Sequence, residues 1–374
     1  MRIVIDARFY GLRNTGIGRY LVNLLRELGR RDRKNEYWVL LRQEGMREFE
    51  EPNERWHKVE VDVPHYTLRE QLVLPVKLLG LAPDVVYVPH FNVPILWGGR
   101  MVVTIHDLLW HEQRGGQVTT LPPGLYWVKY LGFRLVFWWA VVKAKAILVP
   151  SRWVKQQLIK QYSRVRGKVR VAYEGVDEKI RNPKHEIRNQ VLRKYGLERG
   201  KYLLYVGNVY PHKNLETLLG ALKFLPEELV LTVVCGRELF KERFDKLVKR
   251  YGAKGRVRWL GYVSDEELAG LYGGAGTFVF PSLSEGFGLP ALEAMALGCP
   301  VVAARSSSLP EVLNAAAMFF EPKDEKDLAK KVKQVLGRKR WRNEMVKKGR
   351  VRVKDFGWEK MAGHVLEAFE KVGG

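Results

Sequence analysis

Two glutamates carry the clearest chemical signal in this chain. Glu285 and Glu293 stand eight residues apart in Pro281-Ser-Leu-Ser-Glu285-Gly286-Phe287-Gly288-Leu289-Pro290-Ala-Leu-Glu293. On one helix that spacing would set them about 80° apart, off a common face. Pro290 suits the first turn of a helix. Glu285 therefore falls in a glycine-containing loop and Glu293 in the helix that the loop opens. The two carboxylates can then reach different parts of one extended ligand. Loop amides and a helix N-terminus favour an anion such as a diphosphate. Carboxylates beside a phosphate site suit sugar hydroxyls, whose hydrogen bonds they accept. A second motif, Gly11-Leu-Arg-Asn-Thr-Gly16-Ile-Gly18-Arg-Tyr20, follows an apolar strand pattern and opens a helix. Glycine lets backbone approach a ligand closely. The motif is not a clean G-x-G-x-x-G, and no acidic residue is well placed at the end of the second strand. Either an anion-binding loop or a tight turn without a ligand fits it.

These motifs sit in a chain of alternating strand and helix patterns. Strands are expected at Arg2–Asp6, Tyr37–Leu41, Lys58–Val61, Val85–Val88, Val102–Ile105, Ile147–Val149 and Val169–Val171. The alternation restarts with strands at Tyr202–Val206, Val230–Val234, Val257–Trp259, Thr277–Phe280 and Pro300–Ala303. Near-continuous apolar strands separated by amphipathic stretches predict parallel sheets covered on both faces. The expected fold class is α/β, with two Rossmann-like domains facing each other across a cleft. The boundaries read as 1–175 for the first domain, 176–200 for a polar linker containing Pro183, and 201–356 for the second. A length of 374 residues suits two domains.

The charge is strongly positive: 64 Lys and Arg against 41 Asp and Glu, a net +23. Such a chain expects an anionic partner. The excess divides almost equally between the halves, so there is no basic tail. Between Glu112 and Glu174 there is no acidic residue, yet there are twelve Lys or Arg, interleaved with aromatics such as Trp127, Phe133 and Trp138. The stretch 113–173 reads either as a patch that docks on an anionic membrane surface or as a core helix with buried aromatics. No nucleic-acid motif accompanies the charge, so nucleic acid is not an expected partner. Two cysteines, Cys235 and Cys299, exclude a disulfide scaffold and a Cys-rich metal site. His106, His111 and Glu112 do not match a zinc spacing. Met1–Asp6 reads as a strand rather than a signal peptide. The apolar run Leu135–Val142 falls far short of the ~20 residues that span a bilayer. The expected location is the cytoplasm, peripheral at the inner face of the cell membrane.

The pattern Glu285-x7-Glu293 resembles the signature of the retaining GT-B glycosyltransferases of family 4. The likeness extends to Ile5-Asp6-Ala7-Arg8, Gly16-Ile-Gly18-Arg-Tyr20, Thr104-Ile105-His106-Asp107, Tyr205-Val206-Gly207, Pro211-His-Lys213-Asn214, Ser308-Leu309-Pro310-Glu311 and Phe356-Gly357-Trp358-Glu359. The Gly16–Tyr20 and Pro-x-Lys-Asn variants look like the mannosyltransferase branch. The resemblance implies transfer of a hexose from a nucleotide diphosphate, with retention, to an acceptor hydroxyl on a lipid-linked or other glycan. GDP-mannose is the first donor expected and a UDP-sugar the next, with no metal cofactor. By position, the resemblance assigns donor-sugar hydroxyls to Glu285, the ribose to Glu293 and the leaving diphosphate to Lys213. It assigns phosphate and sugar to the amides of Phe287, Gly288 and Leu289, and donor closure to Gly16 and Gly18. His106 would contact the transferred sugar near the reacting carbon. The family often has Arg after the glycine equivalent to Gly207; here Asn208 stands there, which shifts the diphosphate charge onto Lys213, helped by Arg237. The closing helix, about 357–374, is expected to cross back onto the first domain. Two other readings stay open: a sugar-nucleotide epimerase of the same fold, and a non-catalytic binder of anionic lipid or nucleic acid.

Overall fold

The structure is a computed structural model that describes residues 1–11, 15–109, 123–177 and 185–374. His111, Glu112, the segment 113–122 and Pro183 lie outside the described residues. The chain divides into two compact units, Met1–Glu174 with Trp358–Gly374, and Gly175–Gly357.

The first unit is built on a seven-stranded sheet. Its strands are β1 (Arg2–Asp6), β2 (Glu36–Leu41), β3 (Trp56–Glu60), β4 (Val85–Val88), β5 (Met101–Thr104), β6 (Ala146–Val149) and β7 (Val169–Val171). All pair in parallel in the order β3-β2-β1-β4-β5-β6-β7. Val85–Val88 and Ala146–Val149 are buried at every position, as a parallel strand covered on both faces requires. The crossovers include α1 (Thr15–Arg31), α2 (Gln43–Glu48), α3 (Leu68–Leu81), α4 (Pro123–Lys143) and α5 (Arg152–Gln161).

The second unit repeats the design with β8 (Tyr202–Val206), β9 (Val230–Val234), β10 (Val257–Gly261), β11 (Thr277–Phe280), β12 (Val301–Ala304) and β13 (Ala317–Phe320). Their order is β10-β9-β8-β11-β12-β13, again all parallel. Its helices are α6 (His185–Lys194), α7 (Leu215–Ala221), α8 (Lys241–Arg250), α9 (Asp265–Gly274), α10 (Leu289–Ala296), α11 (Leu309–Leu313), α12 (Glu325–Gly337) and α13 (Lys339–Val353). The last helix, α14 (Trp358–Gly373), belongs to the first unit and packs on α1 and on β4, β5 and β6.

Two features differ from the expectation. The segment 176–200 carries helix α6, which packs against α9 within the second unit through buried Val191 and Leu192. A sixth strand, β13, extends the second sheet. In both sheets the strand order reverses between two neighbours, β1 and β4 or β8 and β11. Loops leaving the carboxyl ends of such a pair diverge and leave room for a ligand. Both glycine motifs and both glutamates lie on loops or helices that follow these strands.

Candidate active site

In the second unit the loops after β8 and β11 are stitched together. Asn214 holds a left-handed conformation (φ 54°). Its side-chain amide donates to the Pro281 carbonyl at 3.0 Å, and its oxygen accepts from the Thr217 hydroxyl at 2.8 Å. The Leu283 N–H donates to the His212 carbonyl at 2.7 Å. These bonds fix the single turn Pro211–Lys213 against the loop that carries Glu285. The result is an ion pair: Lys213 Nζ donates to Glu285 Oε1 at 2.7 Å, both side chains largely buried. A cation assigned to phosphate and a carboxylate assigned to a sugar thus meet at one point.

Serines from the loop after β12 hold the glutamate loop in shape. The Glu285 N–H donates to Ser307 Oγ at 2.9 Å, and the Ser308 hydroxyl donates to the carbonyls of Glu285 and Phe287 at 2.9 and 3.2 Å. Gly288 caps α10 with φ 106°, and a methyl group there would come within 2.9 Å of Leu309 Cδ2. Only glycine meets both conditions. Phe287 is buried edge-on against Phe356, with ring centroids 5.4 Å apart. Leu289 is the first residue of α10 and Pro290 follows within its first turn. Glu293, on α10, is buried and accepts from the Tyr272 hydroxyl at 3.4 Å. Gly207 takes φ 152°. The next residue, Asn208, receives the Tyr205 hydroxyl at its carbonyl at 2.7 Å and the Cys235 thiol at its side-chain oxygen at 3.8 Å. His212 lies buried with its ring parallel to Tyr210, and burial with the adjacent Lys213 pushes its pKa down to about 4. It is neutral at pH 7, leaving the local positive charge to Lys213.

In the first unit His106 follows β5. Its Nε2 lies 3.0 Å from the Pro89 carbonyl and its Nδ1 3.3 Å from Glu174 Oε1. Both partners only accept, so both ring nitrogens are satisfied when both carry hydrogen. Burial opposes the charge, but Glu174 and the Pro89 carbonyl outweigh it and hold the imidazole pKa above its ordinary value. Tyr20 packs edge-on to His106 at 4.7 Å. Its hydroxyl lies 2.6 Å from that of Tyr87, which lies 2.7 Å from Thr104 Oγ1. The Gly16–Tyr20 and Thr104–Asp107 motifs are therefore one packed group, and Trp358 of α14 also meets Tyr20 edge-on. Gly16 is exposed in the first turn of α1, whereas Gly18 is buried.

Several residues around these sites carry no motif of their own. Glu174 is one, and Ser307, which precedes the Ser308–Glu311 motif, is another. Glu70, Asn92 and His90 are a third case, in a buried cluster at the carboxyl ends of β1 and β4 that Asp6 and Arg8 of the Ile5–Arg8 motif complete. Arg8 forks onto Asp6 at 2.7 and 2.8 Å and reaches Glu70 at 2.5 Å. The Asn92 side-chain amide donates to both Glu70 oxygens at 2.9 and 2.8 Å. Burial alone would raise the Asp6 pKa, but Arg8 holds it below the usual carboxylate range. Neighbouring His90 is pushed down to about 3 by burial and by the histidines around it. Cys235 and Cys299 are buried free thiols. Among the described residues, no group of three or more His, Cys, Asp and Glu side chains is arranged to hold a metal ion.

Comparison with known proteins sets this arrangement in context. A sucrose-phosphate synthase from Thermosynechococcus elongatus superposes with a TM-score of 0.79 at 21% identity, over 99% of this chain and 98% of that one. Anabaena HepE, solved in complex with UDP and glucose, gives 0.78 at 18% identity, over 99% and 100%. Two units of this sheet order, matched over nearly the whole chain, define the GT-B fold. Residues 188–352 match the family described as glycosyl transferases group 1, and residues 14–179 match glycosyltransferase family 4; the chain belongs to this group of glycosyltransferases. The O-antigen chain mannosyltransferase B of Escherichia coli is 40% identical over 186 residues, 48% of each chain. The O-antigen chain mannosyltransferase RfbU of Salmonella typhimurium is 29% identical over 249 residues, 66% of this chain and 63% of that one. The matches therefore span 48% and 63% of these relatives, less than two thirds of either.

Proposed function

We propose that this protein transfers a hexose, with mannose the first choice, from a nucleotide diphosphate sugar to an acceptor hydroxyl, retaining the anomeric configuration. The observation that carries this reading is the Lys213–Glu285 pair, set where the strand order of the second sheet reverses. Names of the relatives support mannose, and GDP-mannose is accordingly the first donor, ahead of a UDP-sugar.

Catalysis then rests on stabilising a leaving anion. The anomeric carbon–oxygen bond to the diphosphate breaks, and a bond to the acceptor oxygen forms on the same face of the sugar. The acceptor proton passes to an oxygen of the departing phosphate. Lys213 neutralises that phosphate, and the amides of Phe287, Gly288 and Leu289 donate to phosphate and sugar. Glu285 accepts from sugar hydroxyls and Glu293 from the ribose. Asn208 stands beside the phosphates without adding charge. In the first unit, His106 is assigned to the transferred sugar and Gly16 and Gly18 to backbone contacts with the donor. This scheme asks for no metal ion. The acceptor is a glycan, free or lipid-linked, at the inner face of the cell membrane.

The test is transfer of labelled mannose from GDP-mannose to a synthetic lipid-linked mannoside. The product's anomeric configuration is read by NMR. An α-linked product that disappears in Lys213→Ala supports the reading. Donor turnover without any transfer, giving an epimerised nucleotide sugar, contradicts it.

A further inference from the structure

Arg352, in the last turn of α13, holds two supports of the Glu285–Leu289 loop at once. Its Nε donates to the Val312 carbonyl at 2.8 Å, and one terminal nitrogen donates to the Glu311 carbonyl at 2.7 Å. The other terminal nitrogen donates to Asp355 Oδ2 at 2.7 Å. The guanidinium also lies over the Phe356 ring, 4.6 Å from its centroid. Only 22% of the side chain is exposed, so this arrangement is set by packing as well as by charge.

The first support is α11. A helix of five residues leaves most of its carbonyls without a partner of its own. Arg352 takes two of them at the carboxyl end. At the other end stands Ser308, a residue type that commonly caps its own helix with its hydroxyl. Here the hydroxyl makes no such bond. It donates instead to the carbonyls of Glu285 and Phe287 at 2.9 and 3.2 Å. Leu309, the first residue of α11, fills the space beside Gly288. One end of α11 is thus tied to Arg352 and the other to the loop.

The second support is Phe356. Arg352 covers one of its faces, and its ring meets that of Phe287 at 87° with centroids 5.4 Å apart. Both rings are buried. Phe287 carries one of the amides assigned to phosphate and sugar. The job suits arginine: a planar fork bonds two carbonyls in its plane while its face rests on an aromatic ring, which an ammonium cannot do.

We infer that Arg352 is a positioning residue for the donor loop, holding the Phe287 and Gly288 amides on target through α11 and Phe356. What the loop binds rests on the transfer reading above; what holds the loop rests on this geometry alone. A displacement of about 1 Å at a reacting group can cost about 10²-fold in rate, so a support outside the site can matter to the chemistry.

The test compares wild type with Arg352→Lys, Arg352→Gln and Phe356→Leu in two measurements. One is transfer of labelled mannose from GDP-mannose to the lipid-linked mannoside, with kcat and the acceptor KM separated. The other needs no substrate: NMR of protein labelled with 15N-phenylalanine, the Phe287 amide signal being identified by its loss in Phe287→Leu. Both Arg352 variants should displace that signal and lower kcat about tenfold or more, with the acceptor KM unchanged. Phe356→Leu should displace the same signal, and combining it with Arg352→Gln should add little, because both act through one loop. An unmoved Phe287 signal or an unchanged kcat in the folded variants overturns the inference. So does full recovery in Arg352→Lys, since charge alone would then suffice. If neither Arg352 variant folds, Phe356→Leu decides by the same two readouts. No transfer by wild type contradicts the proposed function instead, and the inference then stands or falls on the amide signal.

Discussion

Lys213 and Glu285 hold each other at 2.7 Å, across the point where the loops after β8 and β11 diverge. Each is thereby kept out of bulk water and pre-placed for a partner of opposite kind. A phosphate arriving at Lys213 meets an ammonium already oriented, and a sugar hydroxyl arriving at Glu285 meets a carboxylate whose loop is pinned by Ser307 and Ser308. On the proposed function, replacing Lys213 by Ala removes the charge that would face the leaving group. Losses for one such preorganised donor run to about 10²–10³ in kcat. The expected outcome is a fall of that size in the single-turnover transfer rate, with the fold intact by circular dichroism.

Glu174 is a positioning residue for His106, through the 3.3 Å contact to Nδ1. Because the folded pKa of His106 is raised, the folded state holds the proton more tightly than the unfolded chain. The stability this contributes is complete below the unfolded value near 6.5 and is lost as pH rises through the folded value. Glu174→Gln should therefore melt below wild type by the widest margin under pH 6.5, with the gap closing toward alkaline pH. The His106 ring signals in NMR should titrate at lower pH in the variant. A constant gap at every pH would refute the assignment.

Two other histidines make the opposite prediction. His90 and His212 are held neutral, near 3 and 4, while the unfolded chain takes up protons near 6.5. Stability must then fall as pH drops below about 6.5, by up to about 1.4 kcal/mol per pH unit for each group. Urea unfolding followed from pH 7 to pH 4.5 should show this slope. His212→Asn should make it shallower.

Arg8 stands between two buried carboxylates, Asp6 and Glu70. Removing one partner of a buried ionic group leaves the rest uncompensated, which costs about 3–5 kcal/mol. Arg8→Met should lower stability by that amount in denaturant unfolding. Adding Glu70→Gln to it should recover part of the loss.

The parts of this molecule that are legible in sequence are the local ones. Glu285, Gly288, Pro290 and Glu293 lie on one loop and helix, so spacing alone places them. Strands such as Val85–Val88 show because both of their faces are buried. Glu174 is illegible because its meaning comes from His106, 68 residues earlier, and only the pairing of β5, β6 and β7 brings the two together. Helix α6 is hidden by its polar composition, its buried side reduced to residues such as Val191 and Leu192. Strand β13 is hidden because Ala317–Phe320 continues an alanine-rich run.

The proposed function requires that the second unit bind a nucleotide sugar through Glu293 and the Lys213–Glu285 pair. A thermal-shift series tests it most directly. Wild type and Glu293→Ala are heated with GDP-mannose, UDP-glucose, UDP-GlcNAc, ADP-glucose and the free nucleotides. A donor at 100 times its dissociation constant adds about 2.7 kcal/mol of stability. One nucleotide family is expected to raise the melting temperature of wild type, and Glu293→Ala to lose that shift. Equal shifts with every nucleotide, abolished by salt and unchanged in Glu293→Ala, would contradict it, because a general affinity for polyanions behaves in that way.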